Sequence, residues 1–102
     1  SIEANGEVIN QRTVQVFVPY KYLHLFDEPR TAHVSFEGND NASYNCNIIS
    51  HNAKLIYREG GNYFMAIGVV IAYGKTIPVQ RYQKANIRIV ISDKTLWQYV
   101  FG

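Results

Sequence analysis

A strand–turn–strand pattern runs from Lys54 to Ala72, KLIYREGGNYFMAIGVVIA. Its centre, Glu59-Gly60-Gly61-Asn62, has the residue types that favour a tight hairpin turn between two apolar runs. The second run, Tyr63–Ala72, is apolar throughout, which predicts a strand buried on both faces. Gly68 lies in the middle of this run, a position suited to a bulge or to a tight bend in a barrel. The pattern therefore predicts a β-hairpin whose second strand is central to the fold.

Strand patterns recur on both sides of this hairpin, with turn residues about every ten positions. Gly38–Asn41 has the composition of a second hairpin turn, and Tyr20–Phe26 has apolar spacing suited to one short helical turn. The complete set of strand candidates is Thr13–Pro19, Ala32–Glu37, Ser43–Ile49, Lys54–Arg58, Tyr63–Ala72, Ala85–Ile91 and Thr95–Phe101. The sequence thus predicts an all-β barrel or pseudobarrel of about seven short, mainly antiparallel strands, and a doubly buried central strand favours closure.

Length and composition limit the classes of protein that fit. The chain has 102 residues, 47% of them hydrophobic and one of them cysteine, which fits a single domain without a disulfide framework or a multi-cysteine zinc site. We expect a polar N-terminal segment at 1–12 and one barrel domain at 13–102, cut from a larger protein because the chain begins with serine. The longest apolar run has ten residues, where a membrane-spanning helix needs about 20, so we expect a soluble, cytoplasmic protein.

Residues that could carry catalysis are few. Cys46 and His51 are five residues apart, and a thiol beside an imidazole is the smallest nucleophilic pair. The alternation around Cys46 places its thiol on the apolar side of a strand, where cysteine is an inert core residue. The three histidines have no spacing typical of metal ligands. We therefore expect a protein without catalytic residues, metal or cofactor, and a site assembled from distant residues is the enzymatic alternative.

The charges are distributed unevenly along the chain. The first 51 residues carry three basic and six acidic groups, a balance of −3, whereas residues 52–102 carry seven basic and two acidic groups, a balance of +5. Such asymmetry is a feature of proteins that bind polyanions. The candidate nucleic-acid contacts are Lys54, Arg58, Arg81, Gln83, Lys84 and Arg88. The alternative interpretation is that these basic side chains serve only solubility.

A protein partner is the second functional hypothesis. Trp97 and Tyr99 alternate with polar and aliphatic residues in the last predicted strand, and exposed aromatic side chains of this kind suit a protein interface. An inhibitor, an immunity protein or a subunit of an assembly would use such a strand. Binding would then depend little on salt, unlike binding to nucleic acid.

The order of elements resembles the B3-type and AbrB-related DNA-binding pseudobarrels over residues 13–91. The resemblance is carried by Val18-Pro19 before a helical turn, by Gly61-Asn62-Tyr63-Phe64 before a central strand, and by Ile71–Gly74 leading to the strand Ala85–Ile91. It implies a pseudobarrel that seats two loop or hairpin arms in the major groove, where Lys and Arg fix the backbone and Asn, Gln and Arg read base edges.

This chain departs from the family pattern in two respects. The Gly-Asp step common near the end of such domains is replaced by Gly74-Lys75. The loops near the first helical turn carry only Lys21 and Arg30 as basic groups. The resemblance therefore supports the pseudobarrel fold more than it supports DNA binding.

Overall fold

The computed structural model of the chain describes residues 2–72, 77 and 79–91, and this part contains six β-strands and one 3₁₀ helix. The helix, Tyr20–Phe26, joins the second and third strands. The strands are β1 (Ile2–Val8), β2 (Thr13–Pro19), β3 (Arg30–Phe36), β4 (Asn39–Arg58), β5 (Gly61–Ile71) and β6 (Lys84–Ile89). The predicted strand Thr95–Phe101 lies outside the described residues.

The six strands close into an antiparallel barrel in the order β1-β2-β5-β4-β3-β6. Two hairpins join β3, β4 and β5, and β6 returns to lie beside β3, which is a Greek-key arrangement. Closure removes the free strand edges that an open sheet would expose. The prediction of an all-β barrel is confirmed, with six strands in the described residues where about seven were expected.

Within the described residues two differences from the predicted strands cancel in the count: two predicted strands are merged into one, and one strand, β1, was not predicted. Ser43–Ile49 and Lys54–Arg58, predicted as two strands, belong to the single 20-residue strand β4. The register of β4 against β5 shifts between Ile48 and Ser50 and again between Asn52 and Ile56. Bulges of this kind bend a strand without ending it. The polar residues between the two apolar runs therefore mark bulges within one strand. From the sequence alone they were interpreted as a break between two strands.

The first strand was not predicted. β1 lies within the stretch 1–12, in which the inward positions are Ile2, Ala4, Gly6 and Val8 and only the first and last have large apolar side chains. Gly6 is required by close packing, because a Cβ atom there would lie 2.5 Å from the carbonyl oxygen of Gln15 and 2.7 Å from Cδ1 of Ile87. Small residues weaken the alternation by which a strand is recognised.

The core fills the inside of the barrel. Alternate residues of the strands point inward, and the largest fully buried side chains are Phe64, Ile87, Ile89, Val8, Val14, Val16, Val18, Val34 and Cys46. On β5 only every second residue is buried, so the prediction that this strand is buried on both faces is wrong. In a closed barrel one face of each strand lines the interior and the other face is on the outside.

The 3₁₀ helix covers one end of the barrel. Leu25 and Phe26 are buried, and the ring of Phe26 packs edge-on against Phe64 at 5.3 Å between centroids. The side chain of Arg30 donates a hydrogen bond of 2.6 Å from Nε to the carbonyl oxygen of Leu25, which fixes the start of β3 beneath the helix. The predicted short helical turn at Tyr20–Phe26 is confirmed. No helix in the described part of the chain is long and apolar enough to cross a membrane.

Candidate interaction surfaces

One side of the barrel exterior carries a row of apolar side chains. Four apolar residues, Met65, Ile67, Val69 and Ile71, occupy successive outward positions of β5 and are half-buried. Antiparallel pairing places the outward residues of β2 and β4 beside this row. We call the surface the β5 face, and it comprises Met65, Ile67, Val69 and Ile71 together with their cross-strand partners Thr13, Gln15, Phe17, Asn45, Asn47, Ser50 and Asn52. The guanidinium of Arg58 stacks on Phe17 at one end of this face.

The register explains why these residues form one surface. Val69 is opposite Thr13 on β2 and Asn47 on β4, and Ile67 is opposite Gln15. Because side chains alternate along a strand, a whole row of β5 points away from the core. Ile49, at the bulge in β4, is 54% exposed and adds a further large apolar side chain next to this face. An apolar row of this length on the outside of a barrel is typical of a surface that another molecule covers.

The opposite side of the barrel is charged, with carboxylates and basic groups in alternation. β6 exposes Lys84, Asn86 and Arg88, and β1 runs beside it. The register pairs Glu7 with Lys84 and Glu3 with Arg88, and Asn5 with Asn86 between them. Oppositely charged residues directly across an antiparallel pair attract each other. We call this surface the charged face.

Two of the predicted nucleic-acid contacts, Lys84 and Arg88, therefore lie on the charged face. Each is exposed, and each has a glutamate directly opposite. The acidic half of the sequence and the basic half meet here because the first and last described strands are neighbours in the closed barrel. The charge imbalance along the chain therefore does not produce a basic surface here, because acidic and basic side chains lie side by side on the charged face.

Two further predicted contacts lie in the connection before β6. Arg81 is exposed, with its guanidinium carbon 4.9 Å from the ring centroid of Tyr82. The side chain of Gln83 is held within the fold, because its Nε2 donates to the carbonyl oxygen of Glu37 at 2.7 Å and its Oε1 accepts from the Gln80 N–H at 2.9 Å. Gln83 fixes the entry to β6, whereas Arg81 leaves its charge in solvent.

The last two predicted contacts are on the β4–β5 hairpin. Lys54 is exposed in the irregular part of β4, where its N–H donates to Oδ1 of Asn52 at 3.0 Å. Arg58 is half-buried, with its guanidinium carbon 3.9 Å from the ring centroid of Phe17 on β2. This cation–π contact holds the tip of the hairpin against the outside of the barrel.

The hairpin tip and the outside of β1 enclose a groove of about 600 Å³. Phe17, Tyr63 and the two asparagines Asn5 and Asn86 line it, together with charged residues of both signs. Those charged residues are Glu3, Glu7, Glu37, Glu59, Arg58 and Lys84. Carboxylates outnumber cations four to two, so the groove that brings Arg58 and Lys84 together does not concentrate positive charge.

The cysteine is a core residue. Cys46 is fully buried inside the barrel, and burial raises the pKa of its thiol to about 11, so the thiol is neutral at pH 7. His51 is exposed and packs edge-on against Phe64 at 5.6 Å between ring centroids. The prediction that Cys46 faces the apolar side of its strand is confirmed. Among the described residues, no group of three His, Cys, Asp or Glu side chains is placed to hold a metal ion.

The β5 face was not recognised from the sequence. The continuous apolar run Tyr63–Ala72 contains the residues of this face. Such a run is found both in strands buried on both faces and in strands with one apolar face outside the core, so the sequence does not distinguish the two. The aromatic residues proposed for protein contact, Trp97 and Tyr99, lie outside the described residues. Comparisons with known protein families, with curated proteins and with solved structures find no match for this chain.

Proposed function

We propose that this domain is a non-catalytic protein-interaction module whose binding surface is the β5 face. One observation carries the proposal: four successive outward residues of β5 are apolar, and their neighbours on both adjacent strands are uncharged. Depletion of charge at the centre is what distinguishes protein interfaces from ordinary surface. The partner surface must be apolar and uncharged as well, because a charged group buried against this face would lose its hydration without gaining a partner.

Capture from a lysate of the source organism with matched bait variants tests the proposal. Ile67→Lys places a charge at the centre of the β5 face, and Asn86→Lys places the same charge on the charged face. We expect the wild-type bait and the Asn86→Lys bait to capture equal amounts of the same partner. The Ile67→Lys bait should capture at least tenfold less of it. Equal capture by all three baits, or capture abolished only by Asn86→Lys, would refute the assignment of the β5 face. Thermal unfolding of each bait checks that all three are folded.

Nucleic-acid binding is the second candidate, supported by the exposure of Lys84 and Arg88 along one side of β6 with Arg81 shortly before them. The resemblance to B3-type and AbrB-related pseudobarrels supports the same function and stays a prediction. The glutamates opposite Lys84 and Arg88 weigh against it, since they repel phosphate at the same positions.

A titration with mixed-sequence duplex and single-stranded DNA separates the two candidates. If Arg81, Lys84 and Arg88 each contacted a phosphate, a fourfold rise in salt would weaken binding about 40-fold, and Arg88→Glu would weaken it further. We expect no measurable binding at low salt, because the charged face has both signs. Micromolar binding with that salt dependence would establish the second candidate in place of the first.

A further inference from the structure

We propose that the segment Thr95–Phe101 of this chain pairs with an open edge of β4 as a seventh strand. The edge exists because β4 is longer than β3, its neighbour in the barrel. The pairing of β3 with β4 ends at Arg30 and Ile48. Within the described part of the chain, no strand pairs with β4 on that side from residue 50 to residue 58.

The open edge selects an extended peptide backbone as its occupant. Backbone N–H and C=O groups of a strand point alternately to its two sides, so this stretch of β4 has a row of donors and acceptors that β5 does not bind. Tyr20 covers part of the row, because its hydroxyl donates to the carbonyl oxygen of Ala53 at 3.3 Å. An added strand is the structure that binds a row of this kind along its length.

The last described residue, Ile91, lies close to this edge. The register of β6 against β3 places Ile91 level with Arg30, which is opposite Ile48 on β4. The space beside β4 beyond Ile48 is therefore one strand spacing, about 4.8 Å, to the side of the chain at Ile91. Residues 92–94 can span about 10 Å. A groove of about 290 Å³ occupies this space, between β4 and the residues that lead from the helix into β3.

The direction and the length of the segment fit the same edge. β6 is antiparallel to β3, and β3 is antiparallel to β4, so a segment that continues from β6 would run parallel to β4. Thr95 is four residues beyond Ile91, as Asn52 is four beyond Ile48. The segment Thr95–Phe101 would therefore extend beside residues 52–58, as far as the end of β4. Its sequence, TLWQYVF, is rich in the residue types that favour strands.

Two exposed apolar side chains lie on the same stretch of β4. Leu55 is 54% exposed and Tyr57 is 73% exposed, and residues two apart lie on one side of a strand. The segment has apolar residues at alternate positions on both of its sides: Leu96 and Val100 on one, and Trp97, Tyr99 and Phe101 on the other. Whichever side meets Leu55 and Tyr57, the added strand would cover them with apolar side chains.

Amide hydrogen exchange of the full chain, followed residue by residue by NMR, tests the inference. In the wild type, the amides of residues 50–58 that point away from β5 should be protected, like those bonded to β5. Gln98→Pro removes a backbone donor from the segment, and it should make the amides that point away from β5 exchange about tenfold faster. The amides bonded to β5 should keep their rates. Gln98→Thr, the matched control, keeps the N–H and the preference for strands and should leave both sets unchanged.

Three results would overturn the inference. Amides on the far side of β4 that exchange in the wild type as fast as those of an unstructured peptide would show that the edge is open. Protection that Gln98→Pro leaves unchanged would assign the edge to another segment. Protection that rises with protein concentration would assign it to a second copy of the chain.

Discussion

At the scale of single residues, Gly68 is fixed by packing inside the barrel. A Cβ atom at this position would lie 2.6 Å from Sγ of Cys46 and 3.2 Å from Cγ2 of Val14. Both neighbours are fully buried, so neither can move away easily. The sequence suggested a bulge or a bend at Gly68, but the pairing of β5 with β2 is regular there, and the nearby register shift lies in β4 between Ile48 and Ser50.

Gly68→Ala should lower the free energy of unfolding by about 1 to 3 kcal/mol, because the added methyl group overpacks a filled core. Urea denaturation measures the loss. The double variant Gly68→Ala/Cys46→Ala is the control, since removing Sγ makes room for the methyl group and the two losses should be less than additive. Additive losses, or a Gly68→Ala protein as stable as the wild type, would contradict the close contact with Cys46.

At the scale of elements, the β4–β5 hairpin is the feature that the sequence predicted best and the bulges in β4 are what it did not predict. Glu59 and Gly60 both have positive φ, 50° and 80°, as the primed turns of tight hairpins require. Turn chemistry is local and can therefore be recognised in four residues. The continuity of β4 depends on its pairing with β5, which no short window of sequence contains.

The β4 strand of this hairpin makes two contacts to other elements, one next to the tip at Arg58 and one in its irregular part at Ala53. Arg58 stacks on Phe17 of β2, and the hydroxyl of Tyr20 donates to the carbonyl oxygen of Ala53 at 3.3 Å. Arg58→Ala removes the first contact and should lower the free energy of unfolding by about 0.5 to 1 kcal/mol. Lys54→Ala, on the same hairpin but exposed, is the matched control and should have no measurable effect in the same denaturation experiment.

Hydrogen exchange gives a second readout of the same contact. Without Arg58 the hairpin tip opens more often, so the amides near residues 57–62 should exchange faster while those of β6 are unchanged. Equal exchange in the Arg58→Ala and Lys54→Ala proteins would contradict a role for the stacked guanidinium in holding the tip.

At the scale of the whole molecule, barrel closure decides which surfaces exist. Residues 1–51 have a net charge of −3 and residues 52–102 a net charge of +5. This difference predicts a basic surface only if the two halves of the chain lie on separate sides of the fold. Closure makes β1 the neighbour of β6 and places Glu3 and Glu7 opposite Arg88 and Lys84. Local alternation in the sequence is therefore enough to predict the fold class. The charge and polarity of each outer face depend on which strands pair over long distances in the sequence, and the sequence alone did not predict them.

The same closure leaves the β5 face outward. A barrel has one interior, and a strand that is apolar on both sides can place only one of them there. The other side has to be covered by something outside the barrel or remain in contact with water. We propose that a protein partner covers it, while the charged face stays in solvent.

Two-dimensional NMR of the amide groups, recorded before and after addition of the protein that the wild-type bait captures, tests the proposed binding surface most directly. If the captured protein binds at the β5 face, the amide signals of residues 65–71 and of their partners on β2 and β4 should shift. The signals of β6 should not move. Spectra that are identical with and without the captured protein, or shifts confined to β1 and β6, would contradict the assignment of the β5 face as the surface where this protein binds its partner.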